Sequence, residues 1–231
     1  IGRHTLVFFD EAQRIPGIGQ TLELITDQLK SVQVIVTGSS ALELGDRTRE
    51  SLTGRKVEYK LFPVSWEEFE SEVGYLESEQ QLEERLIFGM YPEVMSRRAD
   101  STTLLKEITG GYLYKDILSL AGIRKPETLD KLLKALALQV GNEVSYNELA
   151  QLLEVDKLTV MKYIDLLEKT MIVFRLSSLS RNIRNEIRNN RKIYFHDNGI
   201  RNVIINNLNP LEVRADKGAL WENFLVSERI K

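Results

Sequence analysis

Cysteine is absent from the 231 residues, which excludes disulfide frameworks and thiolate zinc sites and suits a reducing, cytoplasmic setting. Histidine is scarce: His4 and His196 stand alone without partners at ligand spacing, so neither receives a metal or catalytic role. No apolar run approaches the roughly 18 residues needed to cross a bilayer, and no charged-then-apolar leader opens the chain, so no membrane role is expected. An excess of positive charge is also missing. With 31 Lys+Arg against 34 Asp+Glu the net charge is −3, and any nucleic-acid contact must come from a local patch. What remains, 42% hydrophobic and 28% charged, is an ordinary globular composition with room for roughly one to three small domains. Because the chain starts at Ile1 and stops at Lys231 inside a helical pattern, the expectation is a piece of a longer protein.

Two short apolar runs stand out, Thr5 to Phe9 and Val32 to Val36. Neither alternates with polar residues, as suits strands buried on both faces. Between them "GQTLELITDQL" (19–29) sets Leu22, Ile25 and Leu29 at helical spacing. Strand, helix, strand implies a parallel sheet with a helix packed on it. "VEYKLF" (57–62) alternates with period two and predicts a third strand, ending at Pro63. From Ser65 the pattern is helical, with Ser65 and Glu68 forming a capping box and a Glu-rich solvated face continuing to residue 90. Another helix is expected over 102–120, and Pro126 opens a further one after a boundary near 123–127. Ser145 with Glu148 predicts a second capping box. In the helix that follows, Val160, Ile164, Leu167 and Met171 form the inner face and Thr159, Lys162 and Tyr163 the outer one. "MIVFRL" and "KIYF" (192–195) read as strands around a wing at 178–192. Helix, tight turn, helix, strand is a winged-helix order. Trp66 and Trp221 are expected as core anchors.

The first strand runs into Asp10 and Glu11. In nucleotide hydrolases such a strand delivers an Asp that anchors Mg²⁺, while a following Glu polarises the attacking water. The plainer alternative is a solvated strand end. The second strand ends in Thr37, Ser39 and Ser40, hydroxyls that can touch a γ-phosphate or orient water, and Arg55 precedes the third run. Taken singly, Ser39 reads more readily as a helix N-cap and Arg55 as a surface ion pair; the three features in this order point to the nucleotide site.

"FFDEAQRIP", "VIVTGSSALEL", "SLTGRKVEYKLFPVSWEEF" and "GMYPEV" resemble successive blocks of the bacterial and archaeal AAA-type P-loop ATPases that carry a C-terminal domain called DUF4143. "KIYFHDNGI" and "GALWENFLVSERI" resemble the opening of that C-terminal domain. The resemblance implies that Asp10 and Glu11 are the Walker B pair, that Ser39 lies in the sensor 1 segment, and that Arg55 is a candidate arginine finger, in cis or, in a homo-oligomer, in trans. It implies ATP and Mg²⁺ as ligands. One element departs from it: no G-x-x-x-x-G-K-[ST] string occurs, and "GIGQT" (17–21) lacks the lysine and follows the acidic strand. The phosphate cradle is expected upstream of Ile1, and residues 1–231 alone should not bind ATP tightly.

The implied fold is α/β: a partial parallel-sheet ATPase core (1–64), a helical lid or linker (65–124), a winged helix-turn-helix (125–196) and the start of a restriction-endonuclease-like domain (197–231). From Arg175 to Arg201 seven cations face only Glu186 and Asp197. Lys157, Thr159, Lys162, Tyr163, Arg181, Arg184, Arg188 and Arg191 are the candidate contacts to double-stranded DNA. The alternative is a solvated amphipathic helix with Ile183 and Ile187 inward. Glu222 is either a metal ligand of the nuclease-like domain or a surface carboxylate. The rival function is a non-enzymatic winged-helix DNA-binding regulator with the α/β part as a dimerisation scaffold.

Overall fold

The computed structural model describes residues 5–38, 56–113, 126–176 and 191–231. It divides into two compact units, Ile1–Lys60 and Leu61–Lys231.

In the first unit β1 (Thr5–Phe9) and β2 (Val32–Val36) pair in parallel, with Phe9 opposite Val36. The crossover between them is α1 (Ile18–Gln28). Gly17 sits at its N-cap with φ +69, a left-handed conformation that suits glycine, so the "GIGQT" stretch is a turn and helix start. Ala12, Ile18 and Leu22 are buried and pack with Phe9, Val34 and Val36, which makes one sheet face the core. Leu29 does not continue the helical stripe; it lies past the last turn and is exposed. The expected strand at 57–62 is absent. No described strand pairs with it, and Val57, Tyr59 and Leu61 are 76%, 87% and 96% exposed.

The second unit opens with α2 (Trp66–Val73), whose capping box forms as read: Glu68 N–H donates to Ser65 Oγ, and Ser65 N–H to Glu68 Oε2 at 2.8 Å. Gly74, at φ +86, ends α2 and starts α3 (Tyr75–Phe88), a break the periodicity did not show. Short helices α4 (Pro92–Ser96) and α5 (Ser101–Glu107) follow, and α5 passes into a π turn at Ile108–Leu113. The remainder of the helix expected over 102–120, and the boundary at 123–125, lie outside the described residues.

Next come α6 (Pro126–Leu138), β3 (Glu143–Val144), α7 (Tyr146–Leu152), α8 (Lys157–Lys169), β4 (Val173–Leu176) and β5 (Arg191–Phe195). The three strands form an antiparallel sheet in the order β3–β5–β4. Ser145 caps α7 by accepting from Glu148 N–H. On α8 the residues Val160, Ile164 and Leu167 are fully buried. Tyr163 corrects the expectation. It is buried at 8% exposure, because the inward stripe spans a full a/d/e width and takes in Tyr163 and Leu166 beside the predicted line.

Residues 197–231 close the unit through α9 (Asn198–Ile204) and α10 (Lys217–Glu228). They are tied to both neighbours rather than standing apart. Toward the N-terminal helices, Asp197 caps α9 and also accepts from Met90 N–H at 2.6 Å, while Asn202 Nδ2 donates to the carbonyls of Leu86 and Ile87. Trp66 N–H donates to Glu228 Oε2 at 2.6 Å, and Phe69, Leu86, Met90 and Phe224 share one core. Toward the α6–β5 segment, Arg201 Nε donates to Ala137 O at 2.7 Å and Asn223 exchanges hydrogen bonds with the backbone of Phe195. Glycine is required at two of these joints. A Cβ on Gly89 would lie 2.1 Å from Asp197 Oδ1, and one on Gly199 would lie 2.1 Å from Phe88 O. Burial pushes the Asp197 carboxyl above its ordinary range. Trp66 meets Phe69 and Phe224 edge-on, as an anchor; Trp221 does not, being stacked on Phe224 and 42% exposed.

Candidate functional site

Asp10 directly follows β1 and Thr37 directly follows β2, so the parallel register sets them side by side at the carboxyl end of the sheet. Ligands of open α/β sheets bind at that end. Thr37 Oγ1 donates to Asp10 Oδ1 at 2.5 Å. Glu11 leaves the strand in a left-handed conformation, φ 49 and ψ 43, uncommon for a residue with a Cβ. Its N–H donates to Thr37 Oγ1 at 3.4 Å, and the next amide, of Ala12, donates to Thr37 O at 3.0 Å. Asp10 is exposed, and the Glu11 carboxylate, half-exposed, lies 3.8 Å from Arg14 Nε. Both acids therefore stand at a solvent-facing rim.

A hard cation suits this donor set. Among the described residues no three of His, Cys, Asp and Glu converge as a metal cage. Ser39 and Arg55 lie outside the described residues. The Gly17 turn lines an open depression with Pro16, Ile18, Gly19 and Gln20.

The candidate DNA-contact residues separate. Lys157 and Lys162 are exposed on α8, and Arg191 is half-buried at the start of β5. Thr159 is half-buried, and its hydroxyl donates to the N-cap Asp156 at 2.6 Å. Tyr163 is core. Two cations of the basic run serve packing instead. Arg175 is ion-paired with Asp165 at 2.7 Å and with Glu168, and Arg201 is buried against Asp216. Arg181, Arg184 and Arg188 lie outside the described residues.

Glu222 accepts from Tyr194 Oη at 2.6 Å and from Lys192 Nζ at 2.9 Å. The Tyr194 hydroxyl, and then Lys192, hold its carboxyl below the usual range. Those contacts join α10 to β5. The residues that sequence reasoning missed belong to the same region: Asp197, Asn202, Arg214, Asp216 and Asn223, a buried polar network. Its one sequence signal is "HDNG", three polar residues and a glycine directly after an apolar strand. His196 is buried between Phe62 and Phe174, at ring separations of 5.4 and 4.8 Å.

Two family models match the chain: an AAA domain over residues 1–70 and a domain of unknown function, DUF8612, over residues 79–211. The second is a different family from the DUF4143 expected at the C-terminal end. Among curated proteins, an uncharacterized protein of Mycobacterium tuberculosis is 29% identical over 234 residues, covering 98% of this chain and 51% of that protein. An uncharacterized protein of Haemophilus influenzae is 26% identical over 203 residues (83% and 50%), and one of Methanocaldococcus jannaschii 24% over 240 residues (96% and 52%). The chain spans about half the length of the curated relatives it matches. No solved structure matches it.

Proposed function

The chain belongs to the DUF8612 family and carries an AAA-type match over its first 70 residues; from that premise we propose that the full-length protein is a Mg²⁺-dependent ATPase with Asp10 and Glu11 as its Walker B pair. The observation that carries the reading is the rim itself: two adjacent carboxylates at the carboxyl edge of a parallel sheet, with a hydroxyl of the neighbouring strand bonded to the first. Asp10 would hold Mg²⁺ through water, and the ion when bound neutralises charge on the phosphates. Glu11 polarises the attacking water, Ser39 senses phosphate, and Arg55 donates charge to its own or a neighbour's site. The phosphate-cradling glycine loop is not within residues 1–231, so these residues alone should show no micromolar affinity for Mg-ATP.

The second part of the proposal is that turnover moves a winged helix that contacts duplex DNA. Its support is the element order from α6 to β5 and the β3–β5–β4 pairing, with Lys157 and Lys162 exposed on α8. The likeness of 192–200 and 218–230 to the opening of DUF4143 adds no nuclease role to the proposal. Glu222 is occupied in packing.

In the full-length protein Glu11→Gln is expected to retain nucleotide binding and to lower turnover by about 100-fold or more. Asp10→Ala should weaken the Mg²⁺ dependence as well. Steady-state hydrolysis against Mg²⁺ concentration measures both, and undiminished turnover in Glu11→Gln would end the Walker B assignment.

A further inference from the structure

The expectation from sequence gave Thr37 to the nucleotide. The geometry points elsewhere: we infer that Thr37 is a positioning residue, a cross-strand latch that aims Asp10 and Glu11 and does not itself touch phosphate. The inference rests on the Walker B reading above.

A threonine hydroxyl has one proton to donate. Here that proton goes to Asp10 Oδ1 at 2.5 Å, while the same oxygen accepts from Glu11 N–H at 3.4 Å. The main chain of Thr37 completes the latch: its N–H donates to Phe9 O at 2.8 Å and its carbonyl accepts from Ala12 N–H at 3.0 Å. Thr37, the residue after β2, thus binds the carbonyl of Phe9, the carboxylate of Asp10 and the amides of Glu11 and Ala12. Glu11 needs such a hold, because its left-handed backbone is uncommon for a residue with a side chain and persists only where its surroundings over-determine it. A hydroxyl spent on Asp10 cannot also donate to a γ-phosphate. Its effect reaches the metal through the carboxylate, as outer partners of metal ligands do.

Thr37→Val keeps the branched shape and removes the hydroxyl; Thr37→Ser keeps the hydroxyl. In the full-length protein Thr37→Val should raise the Mg²⁺ concentration for half-maximal hydrolysis by about 10-fold, leave the KM for ATP unchanged, and be rescued by Thr37→Ser. A readout independent of turnover is amide exchange followed by NMR. Glu11 N–H should exchange about 5-fold faster in the valine variant and at the wild-type rate in the serine variant. A raised KM for ATP with an unchanged Mg²⁺ requirement would give the hydroxyl back to the nucleotide and overturn the latch. Unchanged exchange at Glu11 would overturn it too. Absence of Mg²⁺-dependent hydrolysis in the wild-type protein would end the ATPase reading, and the exchange rates would still decide whether the latch exists.

Discussion

Asp216 stands between two guanidinium groups that solvent does not reach. Arg214 donates to it through Nε at 2.9 Å and Nη2 at 2.8 Å, and Arg201 donates through Nη1. The side chains of Arg201 and Arg214 are 2% and 0% exposed, so one carboxylate answers for two buried cations. Arg214, and then Arg201, hold its carboxyl well below the usual carboxylate range. The folded value being lower than the unfolded one, the unfolded chain binds more protons in the interval between them. Stability therefore rises with pH across that interval. The contribution is fully present above about pH 4 and is lost as pH falls through the folded value. Asp216→Asn should cost about 4 kcal/mol at pH 7, because it strands two desolvated charges. The deficit should shrink as pH falls below about 4, where the unfolded wild-type chain takes up a proton that the folded carboxylate does not. Urea midpoints from pH 7 to 2 measure this; a deficit that stays constant through the acid range would remove Asp216 from its assigned role.

At the scale of elements, α8 shows which features sequence alone discloses. Its inner line of Val160, Ile164 and Leu167 was legible because helical spacing is local. The side of Tyr163 was not, since the width of a buried stripe depends on what packs beside it. Tyr163→Ala is therefore expected to destabilise the second unit by about 4 kcal/mol, whereas Lys162→Ala should leave stability unchanged. Under the proposed winged-helix contact with duplex DNA, Lys162→Ala lowers affinity and flattens its salt dependence by about one phosphate contact. Fluorescence anisotropy across salt concentrations reads both. Affinity with no salt slope would remove DNA phosphates as the partner of this face. The same divide between local and distant information recurs elsewhere. The Ser65–Glu68 box and the runs of β1 and β2 formed where read, each being specified within a few residues. "VEYKLF" has the alternation of a strand, but strand formation needs a neighbour, and its own residues do not encode one. Asp10 and Thr37 could each be picked out at a strand end, yet the hydrogen bond between them spans 27 positions and follows only from the parallel register. Arg175 and Arg201 looked like part of a basic patch because Asp165 and Asp216, which neutralise them, fall outside the run.

For the whole molecule, the two units differ in how they bury their apolar surface. In Leu61–Lys231, residues 197–231 bond to the helices before them at Met90, Leu86 and Ile87 and to the α6–β5 segment at Ala137 and Phe195. Elements that sequence reading divides into lid, winged helix and third domain thus share one set of buried contacts. Such a unit should unfold in one step. In Ile1–Lys60, α1 covers only the face that presents Phe9, Val34 and Val36. On the other face Leu6, Phe8 and Ile35 are 59%, 57% and 42% exposed, although parallel sheets are normally covered on both sides. Among the described residues of this unit, two strands and one helix bury too little apolar surface to be independently stable. Residues 61–231 expressed alone should therefore show a single cooperative urea transition, followed by circular dichroism. Residues 1–60 alone should remain unfolded or self-associate through the Leu6–Phe8–Ile35 face. Should 61–231 melt gradually, or 1–60 fold as a monomer, the division of stability would have to be redrawn. A stable monomer of 1–60 would also mean that the rim bearing Asp10, Glu11 and Thr37 needs nothing further to hold its shape.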